Sequence, residues 1–245
     1  KKNSTYQTQD PDCTIEYCKI KDNWAHANGG GIFSYMPTKI ENSEIVGNRA
    51  MSSEIEGAEF QNLGRGGGFY FSGSEDRLDA GPKFEIINTD VLNNAAMYYG
   101  GGGQACNGAI FTLTNSKINN NEAVLHGAGG LHLTSSAHFK FASGDISNNI
   151  AHSVGGAIHS SYTCQLDLTD GTISGNIVYG RGGGVHVNTG GQLNLQGTII
   201  TQNKAYNGYN WLYSTVSKNS NTGIVSWTEP KYGNDTMVLG YGGGV

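Results

Sequence analysis

Charged residues are scarce in this chain. It has 15 Lys and Arg and 20 Asp and Glu among 245 residues, or 14%, against a usual share of about 25%. The net charge of −5 argues against a nucleic-acid partner, which requires a basic face. No apolar run approaches the ~18 residues of a membrane helix, so we expect no membrane span in this segment. The 4 cysteines give no information on compartment.

Glycine, in contrast, is abundant. The 38 glycines are about twice the ~7% share of an average protein, and they occur in clumps rather than at every third position, which excludes collagen. Gly, Asn, Ser and Thr weaken helix interiors, so long helices are not expected. The 13 Tyr, 8 Phe and 3 Trp favour a packed core over disorder.

A repeat runs through the chain. Its anchor is an Ile or Val followed three residues later by Asn, and a small residue comes two positions after the Asn. The asparagines are Asn23, Asn48, Asn94, Asn121, Asn149, Asn176 and Asn203. Two apolar residues, two positions apart, precede each Ile, and a glycine cluster follows most units. The steps between asparagines are 25, 46, 27, 28, 27 and 27 residues.

This spacing predicts a solenoid. Apolar residues two apart indicate strands, and a unit of about 27 residues cannot bury its own apolar face without stacking on its neighbours. We therefore predict an all-β, right-handed parallel β-helix of about seven coils, with three short strands per coil. Stacked asparagines would form an internal hydrogen-bonded ladder, and the glycines would form corners.

The breaks in the repeat define the expected domain organisation. Residues 1–12 are a lead-in or partial cap, residues 13–205 are the coils with insertions at 51–65 and 71–82, residues 206–241 are an aromatic-rich insertion loop, and residues 242–245 begin a further coil. Because the coils lack a recognisable cap, we expect a segment of a longer chain or a subunit that stacks end to end.

Two sets of side chains are candidate binding residues. The first is the aromatic set of the last insertion, which could bind a ligand or cover the solenoid: Tyr206, Tyr209, Trp211, Tyr213, Trp227 and Tyr232. The second is a row repeating every 27 residues, comprising His132, His159 and His186. We expect these imidazoles to stack outward on one sheet, either as a zinc or copper site or as an exposed ring stack.

Catalytic motifs are incomplete. A polygalacturonase-like site needs four motifs, and the chain contains one of them, Asn88-Thr89-Asp90. A pectate-lyase site needs clustered carboxylates and a basic residue, and the chain has only 4 Arg, none in a matching pattern. We therefore predict no enzymatic activity and no cofactor.

The glycine clusters and the asparagine motif together resemble a known family. Gly155-Gly156-Ala157-Ile158 and the apolar-x-x-Asn units are similar to the repeats of chlamydial polymorphic membrane proteins, over roughly residues 13–203. This chain uses Ile or Val where that family favours Phe, and often a third Gly in place of Ala. The resemblance implies an autotransporter-like, pectate-lyase-like β-helix exposed on a cell surface.

The expected function is that of an extracellular adhesin stalk or fibre module that binds through its loops without catalysis. Its partner would be a glycan or protein of a host or neighbouring cell, or further copies of itself. Two alternatives are a carbohydrate-active β-helix, whose site lies in the insertions or outside this segment, and a self-assembling structural filament.

Overall fold

The chain folds as a parallel β-solenoid, and the predicted repeat architecture is confirmed. The computed structural model describes residues 13–51, 63–73, 82–206, 216–218 and 225–227. Within these ranges there is no helix. Three of the parallel sheets contain seven strands each, so about six turns separate the first strand from the last.

Sheets A and B carry the first two strands of each coil. Sheet A consists of Cys13–Glu16, Thr38–Glu41, Lys83–Ile87, Ile110–Thr114, His138–Phe141, Gln165–Leu168 and Gln192–Leu195. Sheet B consists of Lys19–Lys21, Glu44–Val46, Asp90–Leu92, Ser116–Asn119, Gly144–Ser147, Thr172–Ser174 and Ile199–Thr201.

Sheets C and D complete the coil. Sheet C consists of Trp24–Ala25, Arg49–Ala50, Ala95–Ala96, Glu122–Ala123, Ile150–Ala151, Ile177–Val178 and Lys204–Ala205. Sheet D consists of Ile32–Ser34, Phe69–Ser72, Gly103–Cys106, Leu131–Leu133, Ile158–Ser160 and Val185–Val187. A separate antiparallel pair joins Val216–Lys218 to Val225–Trp227.

Within the described residues, six turns therefore contribute four strands each, and the prediction of three was wrong. The additional strand is the two-residue segment after each ladder asparagine, such as Ala95–Ala96, which pairs in register with Glu122–Ala123. Two residues are too few to show the alternation by which a strand is recognised in a sequence.

The core is a stack of equivalent side chains from successive coils. Phe111 and Phe139, which pair in register on sheet A, lie 5.2 Å apart, and Phe71 of sheet D packs across the core on Phe84 of sheet A at 4.5 Å, measured between ring centroids. All four rings are fully buried. Stacked rings at this distance bury large apolar areas, which is the main favourable contribution to folding.

The asparagine ladder is present as a continuous set of hydrogen bonds. Asn121 donates from its backbone N and from Nδ2 to Oδ1 of Asn149, at 2.9 and 3.0 Å. Its Nδ2 also donates to the carbonyl of Val91. The same pattern links all seven predicted positions, from Asn23 to Asn203.

The corners at the ladder have left-handed backbone at the residue before each asparagine. The residue before the ladder asparagine has positive φ, as in Asn120 and Gln202 at 56° and 57°. Because the preceding residue makes the bend, the side chain of the asparagine is available for the hydrogen bonds of the ladder. At the glycine corner, a Cβ on Gly101 would lie 2.5 Å from backbone atoms of Glu122, so only glycine fits there.

The repeat also extends into segments that the sequence assigns to insertions. Phe71 and Ser72 belong to the strand Phe69–Ser72, although the predicted insertion begins at residue 71. Arg65, the last residue of the predicted insertion 51–65, forms a parallel bridge with Tyr99. Residues 1–12 and 242–245 lie outside the described residues.

Candidate functional site

The histidine row lies in register on sheet D. His132 pairs with His159, and His159 pairs with His186. The ring centroids are 5.1 Å apart at both steps. The row continues in the other direction through Gln104 and Tyr70, which occupy the same position in the preceding coils.

The expectation that this row is an exposed stack was wrong. His132 and His159 are only 4% and 5% exposed, and His186 is half-buried. The ring of Tyr99 lies over His132, with a centroid distance of 4.5 Å and nearly parallel planes. Tyr99 comes from the segment between sheets C and D, which covers the outer face of sheet D.

Hydrogen bonds connect two of these imidazoles through a serine. Oγ of Ser161 lies 3.1 Å from Nε2 of His132 and 3.2 Å from Nε2 of His159. On the other side of its ring, Nδ1 of His132 lies 3.0 Å from Oε1 of Gln104. Gln104 is fully buried. The result is a polar network in an otherwise apolar part of the molecule.

Burial keeps these histidines neutral. It lowers the pKa of His132 well below its ordinary value, and the neighbouring His159 lowers it further. Burial, followed by the influence of His186, lowers the pKa of His159 to about 3. The pKa of His186 is also lowered, again chiefly by burial. At pH 7 the three rings therefore carry no charge.

The row does not have the geometry of a metal centre. Metal sites require ligands that converge on one point, whereas these rings are arranged one above another. In the part of the chain that the structure describes, no group of three or more His, Cys, Asp or Glu side chains could hold a metal ion.

Of the aromatic loop residues, Tyr206 belongs to the repeat. Its backbone N donates to the carbonyl of Val178, and its ring stacks on Tyr179 at 5.8 Å. Trp227 ends a strand, but its side chain is outside the described part. Tyr209, Trp211, Tyr213 and Tyr232 also lie outside the described residues, so their binding role stays a prediction.

A groove on the outer face of sheet A was not predicted from the sequence. It has a volume of about 570 Å³. Thr112, Lys140, Asp167 and Asn194 occupy equivalent positions in four successive coils. The lining residues are Thr112, Lys140, Ala142, Asp167, Leu168, Thr169, Asn194, Leu195 and Gln196. The sequence shows these positions only as a mixed set of polar residues.

Within the groove, the side chain of Asp167 is fixed by hydrogen bonds from three other side chains. Its carboxylate accepts hydrogen bonds from Nε2 of His138 at 2.6 Å, from Nδ2 of Asn194 at 2.7 Å and from Nε2 of Gln165 at 3.1 Å. Partial burial raises the pKa of Asp167, but the hydrogen bonds from Asn194, Gln165 and His138 outweigh it and lower the pKa below its ordinary value. The carboxylate is therefore ionised at neutral pH.

The polygalacturonase-like tripeptide has a structural role. Oγ1 of Thr89 accepts a hydrogen bond from the backbone N of Ser43, and the backbone N of Thr89 donates to Oγ of Ser116. Asp90 forms an exposed ion pair with Lys117. These contacts join neighbouring coils at the corner between sheets A and B.

Comparison with known proteins identifies no relative: no family model, curated protein or solved structure matches this chain. Over the described residues, there is no helix with the length and apolarity needed to cross a membrane.

Proposed function

We propose that this chain is part of an extracellular, cell-surface protein and serves as an adhesin stalk or fibre module. In this proposal the solenoid is a right-handed β-helix of seven coils, and it binds a surface glycan or protein without catalysis. The stacked coils support the stalk role, because backbone hydrogen bonds and the asparagine ladder join each described coil to the next.

The groove on sheet A is the observation that carries the binding role. Its volume of about 570 Å³ lies within the range of ligand pockets, roughly 300–1,000 Å³. Hydroxyl, amide, ammonium and carboxylate groups line it, and these are the donors and acceptors that sugar hydroxyls require. The hydrogen bonds that fix Asp167 also reduce the ordering cost of binding.

The lining of the groove favours binding over sugar hydrolysis, because Asp167 is the one carboxyl group among its residues. Cleavage of a glycosidic bond by two carboxyl groups requires one of them to be protonated and to act as an acid. The pKa of Asp167 is lowered, so this group accepts hydrogen bonds at neutral pH and does not donate a proton.

A glycan array tests the proposal. We expect the intact chain to bind a subset of oligosaccharides, and Lys140→Ala to weaken this binding by roughly tenfold, the value of one charge-assisted hydrogen bond. Lys117→Ala is the matched control, because Lys117 is a surface lysine on sheet B. Its binding should equal that of the original chain.

Three outcomes would overturn the proposal. Equal loss of binding in both variants would exclude the groove as the contact surface. Release of reducing ends from polysaccharides would instead support a carbohydrate-active β-helix. Elongated particles whose size grows with protein concentration in light scattering, with no glycan bound, would support the filament alternative.

A further inference from the structure

Ser161 lies between two imidazoles, at the carboxyl end of an interior strand of sheet D. It directly follows the strand Ile158–Ser160, and the next residues, Tyr162 and Thr163, are exposed. Tyr162 has a left-handed backbone, with φ of 59°, which turns the chain away from the sheet immediately after the serine. Ser161 itself is 8% exposed and borders this exposed turn.

The hydrogen bonds assign a different proton arrangement to each histidine. With Oε1 of Gln104 as the acceptor, Nδ1 of His132 carries the proton, and Nε2 of His132 has a free lone pair. That lone pair accepts the hydroxyl proton of Ser161. The oxygen of Ser161 then accepts a hydrogen bond from Nε2–H of His159.

This arrangement is that of an activated nucleophile. A serine hydroxyl reacts when an adjacent base can take its proton, and the base is effective when a third group holds it in the correct tautomer. His132 is in the position of the base and Gln104 in that of the third group. His159 supplies an N–H donor next to Oγ of Ser161. During acyl transfer negative charge develops on the carbonyl oxygen of the substrate, and this N–H is available to that oxygen when the ester is attacked.

The fold does not require this polar network. In the two coils before the coil of Gln104, the same position of sheet D holds Phe33 and Tyr70, whose rings stack with centroids 5.0 Å apart. The network instead leaves buried polar atoms without partners: Nε2 of Gln104 and Nδ1 of His159. A buried polar atom without a partner destabilises the fold and calls for an explanation such as catalysis.

We propose that Ser161 is a nucleophile that hydrolyses small, uncharged acyl esters. Oγ of Ser161 attacks the ester carbonyl carbon while Nε2 of His132 takes the hydroxyl proton, and Nε2–H of His159 donates to the carbonyl oxygen. The carbon–oxygen bond to the leaving alcohol breaks, and that alcohol takes the proton from His132. Water, deprotonated by His132, then attacks the acyl-serine, releases the carboxylic acid and restores the hydroxyl.

The surroundings of Ser161 define the substrate class. The two imidazoles that contact its hydroxyl are neutral, and aromatic rings are close, with Tyr99 over His132 and the exposed Tyr162 next in the chain. An uncharged acyl group therefore fits better than a charged one. The low exposure of Ser161 restricts the acyl group to a small one, such as acetyl.

A fluorophosphonate probe and p-nitrophenyl acetate test the proposal on the intact chain. We expect mass spectrometry to locate the probe on Ser161, and Ser161→Ala to abolish both labelling and ester hydrolysis. Ser160→Ala is the matched control, since the adjacent Oγ of Ser160 makes no hydrogen bond to either ring. It should retain both activities.

Two further variants separate catalysis from a structural role. His132→Ala should slow ester hydrolysis, by less than the roughly 10²–10⁴-fold usual for a general base, because burial lowers the pKa of His132 and weakens it as a base. Gln104→Glu should accelerate it by roughly tenfold or more, because a carboxylate stabilises the imidazolium that forms. A merely structural Gln104 would give no acceleration. Thermal melting of each variant identifies any that does not fold.

The proposal is overturned if folded protein shows no probe on Ser161, or if Gln104→Glu folds without a gain in rate. Should His132→Ala fail to fold, Ser161→Ala and Gln104→Glu still decide the question. This activity does not depend on the groove of sheet A. Ester hydrolysis releases a carboxylic acid and no reducing ends, so the two tests fail independently.

Discussion

The side chain of Asn149 joins three coils of the solenoid. Its Oδ1 accepts two hydrogen bonds from Asn121, while its Nδ2 donates to Oδ1 of Asn176 and to the carbonyl of Ile118. The residue is fully buried. Its contribution therefore comes from satisfying several polar groups that water cannot reach.

Asn149→Leu should destabilise the protein by at least about 3 kcal/mol, because several buried groups at about 1–3 kcal/mol each would lose their partners. Denaturant unfolding followed by circular dichroism would measure this. Asn203→Leu is the control, since Asn203 is only half-buried and bonds to one ladder asparagine instead of two: its Oδ1 accepts from Asn176, and its Nδ2 donates to the carbonyl of Ile173. Equal effects at the two positions would contradict the ladder argument.

Single residues differ in how far the sequence reveals them. The ladder asparagines are predictable because each copy stacks on an identical copy, which produces an exact recurrence. Gln104 shares the position of His132 but not its residue type, so no pattern connects the two. The proximity of Ser161 to His132 depends on the path of a turn between sheets D and A. That path is determined by tertiary packing and not by local sequence.

The histidine row shows how one element responds to pH. In an unfolded chain these imidazoles titrate near pH 6.5. In the folded protein burial lowers the pKa of His132 and His186, and that of His159 to about 3. Below pH 6.5 the unfolded chain therefore binds protons that the folded chain does not.

The free energy of unfolding should be highest above pH 6.5 and should fall as the pH decreases. The expected loss is about 1.4 kcal/mol per pH unit for each buried histidine, down to the pKa of the folded state. Thermal melting between pH 7 and pH 5 would measure this loss. Most carboxylates titrate below this pH range and so do not contribute to it. His159→Gln is the control, since Gln104 occupies the same position in another coil. In this variant the free energy of unfolding should depend less steeply on pH, by the contribution of one histidine.

A melting temperature that is constant from pH 7 to pH 5 would contradict the burial of this row. The sequence predicted the row and its spacing but placed it in solvent. It could not show that Tyr99, which is more than 30 residues away from His132 in the chain, covers the ring.

For the whole molecule, stacking predicts graded stability along the solenoid. The strand Ile110–Thr114 contains Phe111 and Leu113, both fully buried, whereas Leu195 in the strand Gln192–Leu195 is 48% exposed. In a solenoid each coil is stabilised mainly by its two neighbours. Amides of Ile110–Thr114 should therefore exchange with deuterium more slowly than those of Gln192–Leu195, as hydrogen-exchange mass spectrometry can measure.

Uniform exchange of these two strands would show that the coils unfold only together. The fold class, the turn length and the stacking were predictable, since all three follow from a repeat of fixed period. The number of sheets and the groove on sheet A were not. The groove arises from outward side chains of four coils, which are free to differ because nothing in the core constrains them.

The register of the sheets also governs how such a protein can change its size. Equivalent positions pair throughout, as Ile146 pairs with Ile173. Gain or loss of one complete 27-residue unit would thus leave every lateral contact intact and change the reach by about 4.8 Å, one strand spacing. Any other change in length must lie between strands, since the strands on either side of the 46-residue step keep their register. The length of the solenoid therefore changes in steps of one coil, and duplication of the gene segment for one unit can add one coil at a time.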